Sequence, residues 1–449
     1  MNLPPLLTIA RLNHALAHDA LDIPTLTDAA LARARASEHI FCALTEARAR
    51  RLAAQWAQAP RAHPLTGIPV SWKDLYDQSG EVTRAASLTT AFDDARAHDA
   101  VSVALLESLG AISIGRTNMT EFALSGLGLN PHFGTPANVW SRDVPLAPGG
   151  SSSGAAVSVA SGIVAYAMGT DTSGSIRIPA ALNGLAGFRP TSSRLSRIGV
   201  WTLAPTLDSI GPLAHTAEDI CTIMRAFAID ANSARDAPLH FVVPQGRLTE
   251  NVSPDIAADF AGTLARLREA NLPITPLEIP ELTAPLALFK EYGTLIALEA
   301  WHMHRDALAH AGMMDARVVD RLQSHAHYPA SHIGYLLTQR AAWQQTLAAR
   351  LGDALVLLPT TAIDAPPIAE LEADNAFFDT QNRKMLRNTM MGSFFDMPAI
   401  TIPTGIKANG LPGALMIAGA SGRDEAVLHA GRQLASLLTG DIPLNERRF

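Results

Sequence analysis

Two short glycine-rich turns that carry hydroxyl groups are the strongest chemical feature of this sequence. The first spans residues 149–154 (GGSSSG) and the second spans residues 169–175 (GTDTSGS). The chain has no charged residue from Val144 to Thr170, so the segment between the turns is predicted to be buried. Because such turns can bring backbone N–H groups and a serine hydroxyl close to one substrate carbonyl, the pattern favours nucleophilic chemistry on an acyl group.

The elements predicted around the turns would place the second turn at the start of a helix. Residues 155–160 are small and compatible with a helix, and the apolar run at 163–168 predicts a buried strand. A helix is predicted over 175–182 with a stop at 183–184, and another strand over 185–188. Strand, glycine turn and helix N-terminus together direct unpaired N–H groups at a bound anion, which could be a tetrahedral intermediate.

Three other interpretations of this segment compete with the catalytic one. A Gly/Ser run can be a flexible linker, although linkers are rarely followed by long apolar sequence. A membrane span is disfavoured by the glycines, serines and prolines of the segment. Residues 150–154 also fit the G-x-S-x-G nucleophile elbow, but that elbow needs a preceding strand, and the proline-containing residues 143–148 are a poor strand.

The two turns resemble the signature segment of the amidase signature family, serine hydrolases that cleave amides with a Ser–Ser–Lys triad. The segments PGGSSSG at 148–154 and GTDTSGSIRIPA at 169–180 stand at the separation that this family uses. Further similar segments are found at 67–74, 115–122, 130–134, 207–212, 357–361 and 398–405. The resemblance covers nearly the whole chain and implies an α/β fold, with a mixed central β-sheet sandwiched between layers of α-helices.

The resemblance implies a role for three residues of this chain. Ser175 would be the nucleophile, Ser151 the bridging serine and Lys73 the base, with a cis peptide bond expected between Gly150 and Ser151. Lys73 ends a short apolar run, 67–72, that is predicted to be a strand. A lysine desolvated in this way would have a lowered pKa and could act as a base near neutral pH.

The resemblance also implies the groups that surround this triad. Backbone N–H groups expected to form the oxyanion hole belong to Thr172, Ser173, Gly174 and Ser175. Supporting residues are Ser152 and Asp171. Substrate-binding residues are expected to be Ala123, Leu124, Thr170 and Ile176, with the segment 377–395 contributing to the pocket.

Two departures from the family pattern affect the expectations. The chain has Ser173 where the family most often has a glycine, so its side chain must point away from the oxyanion or narrow the pocket. Branches of the family that act on small urea-like amides also place a non-glycine residue there, which favours a small substrate. Arg116 stands where lysine is common and is expected to be structural, as are the polar residues Asn118 and Glu121.

The resemblance implies one amidase domain over 1–449. Its expected parts are an N-terminal helical cover (1–60), the catalytic core (61–240), a mostly helical substrate side (241–350) and a C-terminal return to the core (351–449). Within these parts we predict two helices in 25–58, the first capped at Thr27–Asp28 and the second near 45–57, and a β-α-β-like alternation at 67–115. Further helices are predicted at 99–109, 217–228 and 425–438, and strands at 111–115, 239–243, 398–403 and 413–418. Residues 353–367 are predicted to be a strand followed by a proline-rich loop, and the last ten residues a surface tail.

Composition excludes several classes of function. The chain has 449 residues, 48% hydrophobic and 17% charged, and a net charge of −7 with no basic block, so nucleic acid is not an expected partner. Its N-terminus is a poor signal peptide, which predicts a cytoplasmic protein without membrane attachment. The sparse cysteines Cys42 and Cys221 predict buried thiols, and the histidines at 302–332 lack metal-ligand spacing, so neither a metal nor another cofactor is expected.

The sequence therefore predicts an amidohydrolase that cleaves a small carboxylic amide to an acid and ammonia or an amine. One alternative is the glutamine-hydrolysing subunit of an aminoacyl-tRNA amidotransferase, which glutaminase activity dependent on a partner protein would identify. Another is a non-catalytic binding or assembly subunit on the same fold, which a failure of fluorophosphonate to label Ser175 would favour. A homodimer is compatible with the resemblance, because dimers are common in the family.

Overall fold

The computed structural model describes residues 7–18, 20–89 and 94–438, and within them eleven strands form one sheet. The strands are β1 (Phe41–Leu44), β2 (Pro69–Lys73), β3 (Ile112–Thr117), β4 (Tyr166–Asp171), β5 (Ala186–Arg189), β6 (Ser209–Ala214), β7 (Phe241–Pro244), β8 (Ile274–Leu277), β9 (Leu355–Pro359), β10 (Ala399–Ile406) and β11 (Pro412–Ala418). Their order across the sheet is β1-β3-β2-β4-β6-β5-β10-β11-β9-β7-β8. The sheet is mixed: β2 runs parallel to β3 and β4, and β7 runs parallel to β8 and β9, whereas the other neighbours are antiparallel.

Helices surround this sheet. They are α1 (Ile9–Ala17), α2 (Ile23–Ala36), α3 (Glu46–Ala57), α4 (Val101–Ser108), α5 (Ser153–Ala160), α6 (Arg177–Leu182), α7 (Ala217–Arg225), α8 (Pro254–Glu269), α9 (Pro285–Tyr292), α10 (Leu295–His304), α11 (Ala316–Gln323), α12 (Ser331–Leu351), α13 (Ile368–Ala373), α14 (Asn375–Phe394) and α15 (Asp424–Leu438). Their arrangement about a mixed sheet confirms the predicted α/β fold class.

Both faces of the sheet are covered by apolar packing. In β9, Leu355 and Leu357 join one hydrophobic cluster, which includes residues of α2, α5, α7 and α15. The alternate residues Val356 and Leu358 join a second cluster, which includes residues of α10, α12 and α14. Because successive side chains of a strand point to opposite faces, this alternation places helices on each side of the sheet.

Most predicted elements appear with shifted ends, and the N-terminal prediction was wrong in two respects. The helix expected to begin at Thr27–Asp28 is α2, whose first turn is capped by the Asp22 carboxylate accepting from Thr25 N–H at 2.7 Å. The short strand β1 lies between α2 and α3 and was not predicted, because its four residues, FCAL, are all apolar and show no alternation with polar residues. The strand expected at 163–168 is β4, three residues further along the chain.

The C-terminal predictions agree with the structure. The strands expected at 398–403 and 413–418 are β10 and β11, which pair antiparallel. The helix expected at 425–438 is α15, and the Thr216 hydroxyl caps α7 as predicted, accepting from Asp219 N–H. The expected surface tail lies outside the described residues.

Candidate active site

Lys73 is the last residue of β2, between the parallel neighbours β3 and β4. The carboxyl ends of parallel strands meet at one edge of a sheet, which is where α/β proteins place their sites. The side chain has 0% exposure, and its Nζ donates to Ser151 Oγ at 2.6 Å and to Thr170 Oγ1 at 2.7 Å. The structure therefore brings the predicted base and the predicted bridging serine into direct contact.

Burial changes the acid–base character of this lysine. Loss of water around the ammonium group lowers the pKa of Lys73 to about 7, against the opposing effect of the Asp171 and Asp208 carboxylates. Near neutral pH a large fraction of the amine is therefore unprotonated, which is the form that can accept a proton.

The first glycine-rich turn presents Ser151 through a close backbone approach. The Gly150–Ser151 peptide bond is cis, as expected, and the Ser151 carbonyl accepts from Thr120 N–H at 3.1 Å. A Cβ atom on Gly150 would lie 2.6 Å from the backbone nitrogen of Gly128, so a larger residue has no space there. Sequence and packing together fix the position of the bridging hydroxyl.

Ser152 joins the two turns. Its N–H donates to the Ser175 carbonyl and its hydroxyl donates to the Thr170 carbonyl, each at 3.3 Å. The expectation that Ser152 supports the site is consistent with these contacts, which tie Ser175 and Thr170 to the N-terminus of α5.

The second turn is organised by the buried carboxylate of Asp171. It accepts backbone N–H groups from Gly174 at 2.7 Å, Ile176 at 3.2 Å and Arg177 at 3.4 Å. Arg177 also binds it through two guanidinium nitrogens, at 2.9 and 3.0 Å. Burial alone would raise the pKa of Asp171, but Arg177, Arg189 and the N–H donors lower it to about 2, so the carboxylate is ionised.

Helix α14 forms hydrogen bonds to the same turn and to Arg177. Thr389 Oγ1 donates to the Ser173 carbonyl at 2.7 Å, and Arg177 donates to the Thr389 carbonyl at 3.1 Å and to Ser393 Oγ at 2.7 Å. Gly174 has φ +135°, and a Cβ atom there would lie 2.1 Å from Thr389 Oγ1. The position therefore requires glycine, whereas Ser173 before it is accommodated with 6% exposure.

One of the four predicted oxyanion donors is already committed. The N–H of Gly174 binds Asp171, so it is not available to a substrate oxygen in this geometry. Within the part of the chain that the structure describes, the N–H groups of Thr172, Ser173 and Ser175 donate to no protein acceptor. Over the same part, the Ser175 hydroxyl has no hydrogen-bond partner, and the residue is 3% exposed.

A second buried carboxylate, Asp208, was not predicted as part of the site. It accepts from Thr172 Oγ1 at 2.6 Å and from the N–H groups of Leu203 and Ala204 at 2.9 and 3.1 Å. A cavity of about 10 Å³, lined in part by Thr170, Thr172 and Asp208, lies behind the turn and is the size of one water molecule. Asp208 follows Leu207 in one of the segments that resemble the family, which is the signal that could have found it.

A cavity of about 280 Å³ lies beside the second turn. Its lining comes from five separated parts of the chain: Ala123, Leu124, Ser125, Ser173, Thr294, Ile296, Ala297, Ala300, Arg321, Ser324, His325, Asp379, Asn382, Arg383, Leu386 and Met390. A volume of this size suits a small molecule. Ser173 thus forms part of the cavity wall, which is consistent with the expectation that its side chain narrows the pocket.

The predicted substrate-binding residues divide into two pairs. Ala123 and Leu124 line the cavity, and their binding of substrate stays a prediction. Thr170 instead holds Lys73, so its hydroxyl is a positioning group behind the turn. Ile176 has 0% exposure, packs in the sheet core beside Gly187 and Gly211, and does not line this cavity, so its assignment to the substrate pocket stays a prediction.

Other polar residues near the site have structural partners. Arg116 forms a buried ion pair with Asp74, with Nη2 2.5 Å from Oδ1, in agreement with its expected structural role. Asn118 donates to the carbonyls of His39 and Gly134, and Glu121 accepts from Ser87 Oγ and from the N–H of Asp315.

The histidine-rich segment holds no metal-binding cluster in the described ranges. His304 stacks on the Trp201 ring at 4.1 Å, and its Nε2 lies 2.8 Å from the Thr202 carbonyl. Cys42 is partly exposed in β1, against the prediction of a buried thiol, whereas Cys221 is buried in α7, and both are free thiols. No helix of the described residues is long and apolar enough to cross a bilayer.

The model of the amidase family matches residues 25–428, which covers both turns, Lys73 and the cavity. The chain belongs to the amidase family. Among relatives of this amidase, 2-amino-5-chloromuconic acid deaminase of Comamonas testosteroni is 32% identical over 366 residues, covering 79% of this chain and 78% of the relative. One subunit of the glutamyl-tRNA(Gln) amidotransferase of Roseiflexus sp. (strain RS-1) is 32% identical over 473 residues, covering 95% of each chain.

Solved structures agree with this assignment. A crystal structure of an amidase superposes with a TM-score of 0.83 at 28% identity, covering 96% of this chain and 100% of the other. The inhibitor-bound form of a vestigial protein complex connected with the origins of an s-triazine catabolic enzyme gives a TM-score of 0.85 at 26% identity, covering 96% and 98%. 6-Aminohexanoate cyclic dimer hydrolase, at 20% identity, a TM-score of 0.85 and coverage of 97% and 98%, shares the fold.

Proposed function

We propose that this amidase hydrolyses the C–N bond of a small carboxylic amide through an acyl-enzyme on Ser175. The observation that carries the proposal is the contact of 2.6 Å between Lys73 Nζ and Ser151 Oγ inside a site without solvent exposure. A lysine with a pKa of about 7 can accept a proton from the bridging serine near neutral pH.

The first proton transfer follows from these contacts, and the transfer between the two serines is the part of the path that the family resemblance implies. Neutral Lys73 keeps Thr170 Oγ1 as an acceptor and takes the proton of the Ser151 hydroxyl, which in turn takes the proton of the Ser175 hydroxyl. Ser175 Oγ then attacks the amide carbon, and the proton held by the relay passes through Ser151 to the leaving nitrogen. Water hydrolyses the acyl-enzyme by the same relay, which returns Ser175 to its starting state.

Negative charge on the substrate oxygen would be stabilised by backbone N–H groups of the second turn. The N–H groups of Thr172, Ser173 and Ser175 have no protein acceptor among the described residues, whereas that of Gly174 is held by Asp171. Preorganised donors of this kind act without reorganisation when charge develops, and each is worth about 10²–10³-fold in rate.

The test is release of ammonia by wild type and Ser175→Ala from aryl, short aliphatic, dicarboxylic, biuret-type and glutamine amides. We expect turnover of at least one class by wild type and a loss on the order of 10⁴-fold or more in the variant. Ser193→Ala is the matched control, because it removes an exposed hydroxyl that lies outside the cavity and the relay. Equal activity of wild type and Ser175→Ala would overturn the proposal.

A second candidate function is glutamine hydrolysis within a larger assembly. It is favoured by the match to the Roseiflexus amidotransferase subunit over 95% of both chains. Glutaminase activity that appears only with added partner proteins would select this function, and efficient turnover of other amides by the isolated chain would exclude it. The homodimer and the cytoplasmic location stay predictions from the sequence.

A further inference from the structure

The wall of the cavity beside Ser173 carries more positive than negative charge. We propose that the acyl part of the substrate bears a carboxylate, which binds Arg383 and Arg321 at the end of the cavity away from the second turn. This inference rests on the proposed function and names the class of amide on which it acts.

One face of α14 runs along the cavity. Asp379, Asn382, Arg383, Leu386 and Met390 all line it, at the spacing of three and four residues that places side chains on one face of a helix. The helix touches the second turn through Thr389, whose hydroxyl binds the Ser173 carbonyl. Arg383 lies six residues earlier, about 9 Å along the helix axis, so a short spacer separates the amide from the charged end.

The two arginines differ in how much of their charge is already neutralised. Arg321 donates to the Leu124 carbonyl and to Asp379 Oδ1 at 3.0 Å, and its guanidinium lies 5.4 Å from the centre of the Phe378 ring. These contacts hold it in place against the cavity. Arg383 donates to Thr380 Oγ1 at 3.2 Å and, among the described residues, forms no ion pair.

The remaining polar groups of the wall favour an acceptor-rich ligand. Asn382 Oδ1 already accepts from Ser125 Oγ at 3.0 Å and from Gly126 N–H at 2.8 Å, which leaves its NH₂ group as a donor. Burial lowers the pKa of His325, so its ring is mainly neutral at pH 7. Two guanidinium groups therefore face one carboxylate, Asp379, and a second carboxylate supplied by the ligand would complete the pairing.

The apolar part of the wall fits the spacer of such a ligand. Ala123, Leu124, Ala297 and Ala300 line the same cavity with the aliphatic side chains of α14. A monoamide of a short dicarboxylic acid has this distribution: an amide at one end, methylene groups between, and a carboxylate at the other. Glutamine shares the carboxylate but adds an ammonium group.

The experiment compares glutaramate with pentanamide, in which a methyl group replaces the carboxylate, in wild type, Arg383→Gln and Lys384→Gln. Lys384 is the matched control, since it is an exposed basic neighbour on α14 that does not line the cavity. We expect wild type to prefer glutaramate, and Arg383→Gln to raise its KM by about tenfold or more with little change in kcat. Pentanamide kinetics and the Lys384→Gln variant should be unaffected.

Equal effects of Arg383→Gln on both amides, no effect on either, or a wild-type preference for pentanamide would overturn the inference. Glutamine turnover with the same dependence on Arg383 would support it and would also favour the second candidate function. Titration calorimetry with glutarate keeps the inference testable in the absence of turnover: tight binding that Arg383→Gln weakens supports it, and equal or absent binding overturns it. Fluorophosphonate labelling of Ser175 separately reports whether the catalytic machinery is intact.

Discussion

The second glycine-rich turn and the wall of the cavity beside it are built in contrasting ways. Residues 170–177 are all buried, and the Asp171 carboxylate alone receives three backbone N–H groups and two guanidinium bonds. The cavity wall draws side chains from five separated parts of the chain, and Asp379 and Arg383 on it are exposed. Under the proposed function, a dense local network would fix the chemistry, whereas substrate preference would depend on sparsely bonded side chains that can change independently.

The largest test of this contrast is removal of the proposed base. Lys73→Met keeps much of the apolar stem but removes the amine that contacts Ser151 and Thr170, so kcat/KM should fall by about 10²–10⁴-fold with every amide. Steady-state ammonia release over the whole panel measures this effect. Lys384→Met, on the exposed surface of α14, is the control and should keep wild-type rates. A loss confined to one class of amide would show that chemistry and preference are not separated as proposed.

A second test concerns the space available inside the turn. Gly174→Ala places a methyl group against Thr389 at a φ of +135°, so we expect the free energy of unfolding to fall by about 2–3 kcal/mol, together with kcat. Gly162→Ala is the matched control, because it also has a positive φ but no atom within 4 Å of the added Cβ. Its cost should be about 1 kcal/mol without loss of kcat, as measured by denaturant unfolding and steady-state rates. Equal costs for the two variants would contradict the proposed tight fit.

A third test uses pH to examine the electrostatics behind the turn. Because Lys73 with a pKa of about 7 must be neutral to act as a base, kcat/KM should rise by about tenfold per pH unit below pH 7 and level off above it. The Asp208 carboxylate raises the pKa of Lys73, so Asp208→Asn should lower that pKa and move the rising limb of the profile to lower pH.

Asparagine keeps an acceptor for the Thr172 hydroxyl, so the local geometry should persist in that variant. Asp236→Asn, at a highly exposed side chain, is the control and should leave the profile unchanged. A profile of Asp208→Asn that coincides with wild type would exclude an electrostatic role for this carboxylate.

The sequence predicted which residues meet at the second glycine-rich turn better than it predicted the cavity, for physical reasons. Ser151 and Ser175 lie in contiguous motifs whose glycines and hydroxyls specify local backbone geometry. Thr170 is adjacent to Asp171 in the same motif, yet its direction toward Lys73 depends on how β2 and β4 pair, which the motif alone does not encode. The commitment of the Gly174 N–H to Asp171 likewise depends on the folded turn.

The cavity residues lacked any comparable local signal. Arg321 and Arg383 are 62 positions apart in the numbering, and each resembles an ordinary surface arginine on a helix. Only the packing of α11 and α14 brings both beside Ser173. The fold class was predictable because the motifs extend over the whole chain. The strand β1 depends on tertiary contacts that the sequence does not show. The start of α2 was predicted five residues too late, because Thr27 and not Asp22 was taken as its cap.

The smallest expected effect concerns the shape of the cavity. Ala297→Leu adds bulk to the apolar wall between the turn and the charged end, so kcat/KM should fall by about tenfold for long acyl chains and little for acetamide. Rates over a series of aliphatic amides measure the change. The control is Ala257→Leu, at an exposed position of α8 away from the cavity, which should not alter the length preference. An equal loss for all chain lengths would show that this wall also supports the catalytic turn.

Helix α14 holds the turn at one end and the cavity at the other. Its last turns carry Thr389 and Ser393, which bind the turn, while the earlier turns carry Asp379 and Arg383. The two sets of contacts lie in different segments of one helix. Substitutions in its first three turns can therefore change the cavity for a new acyl group without changing the contacts to the second turn. That modularity offers a structural reason why one scaffold can serve many unrelated amides.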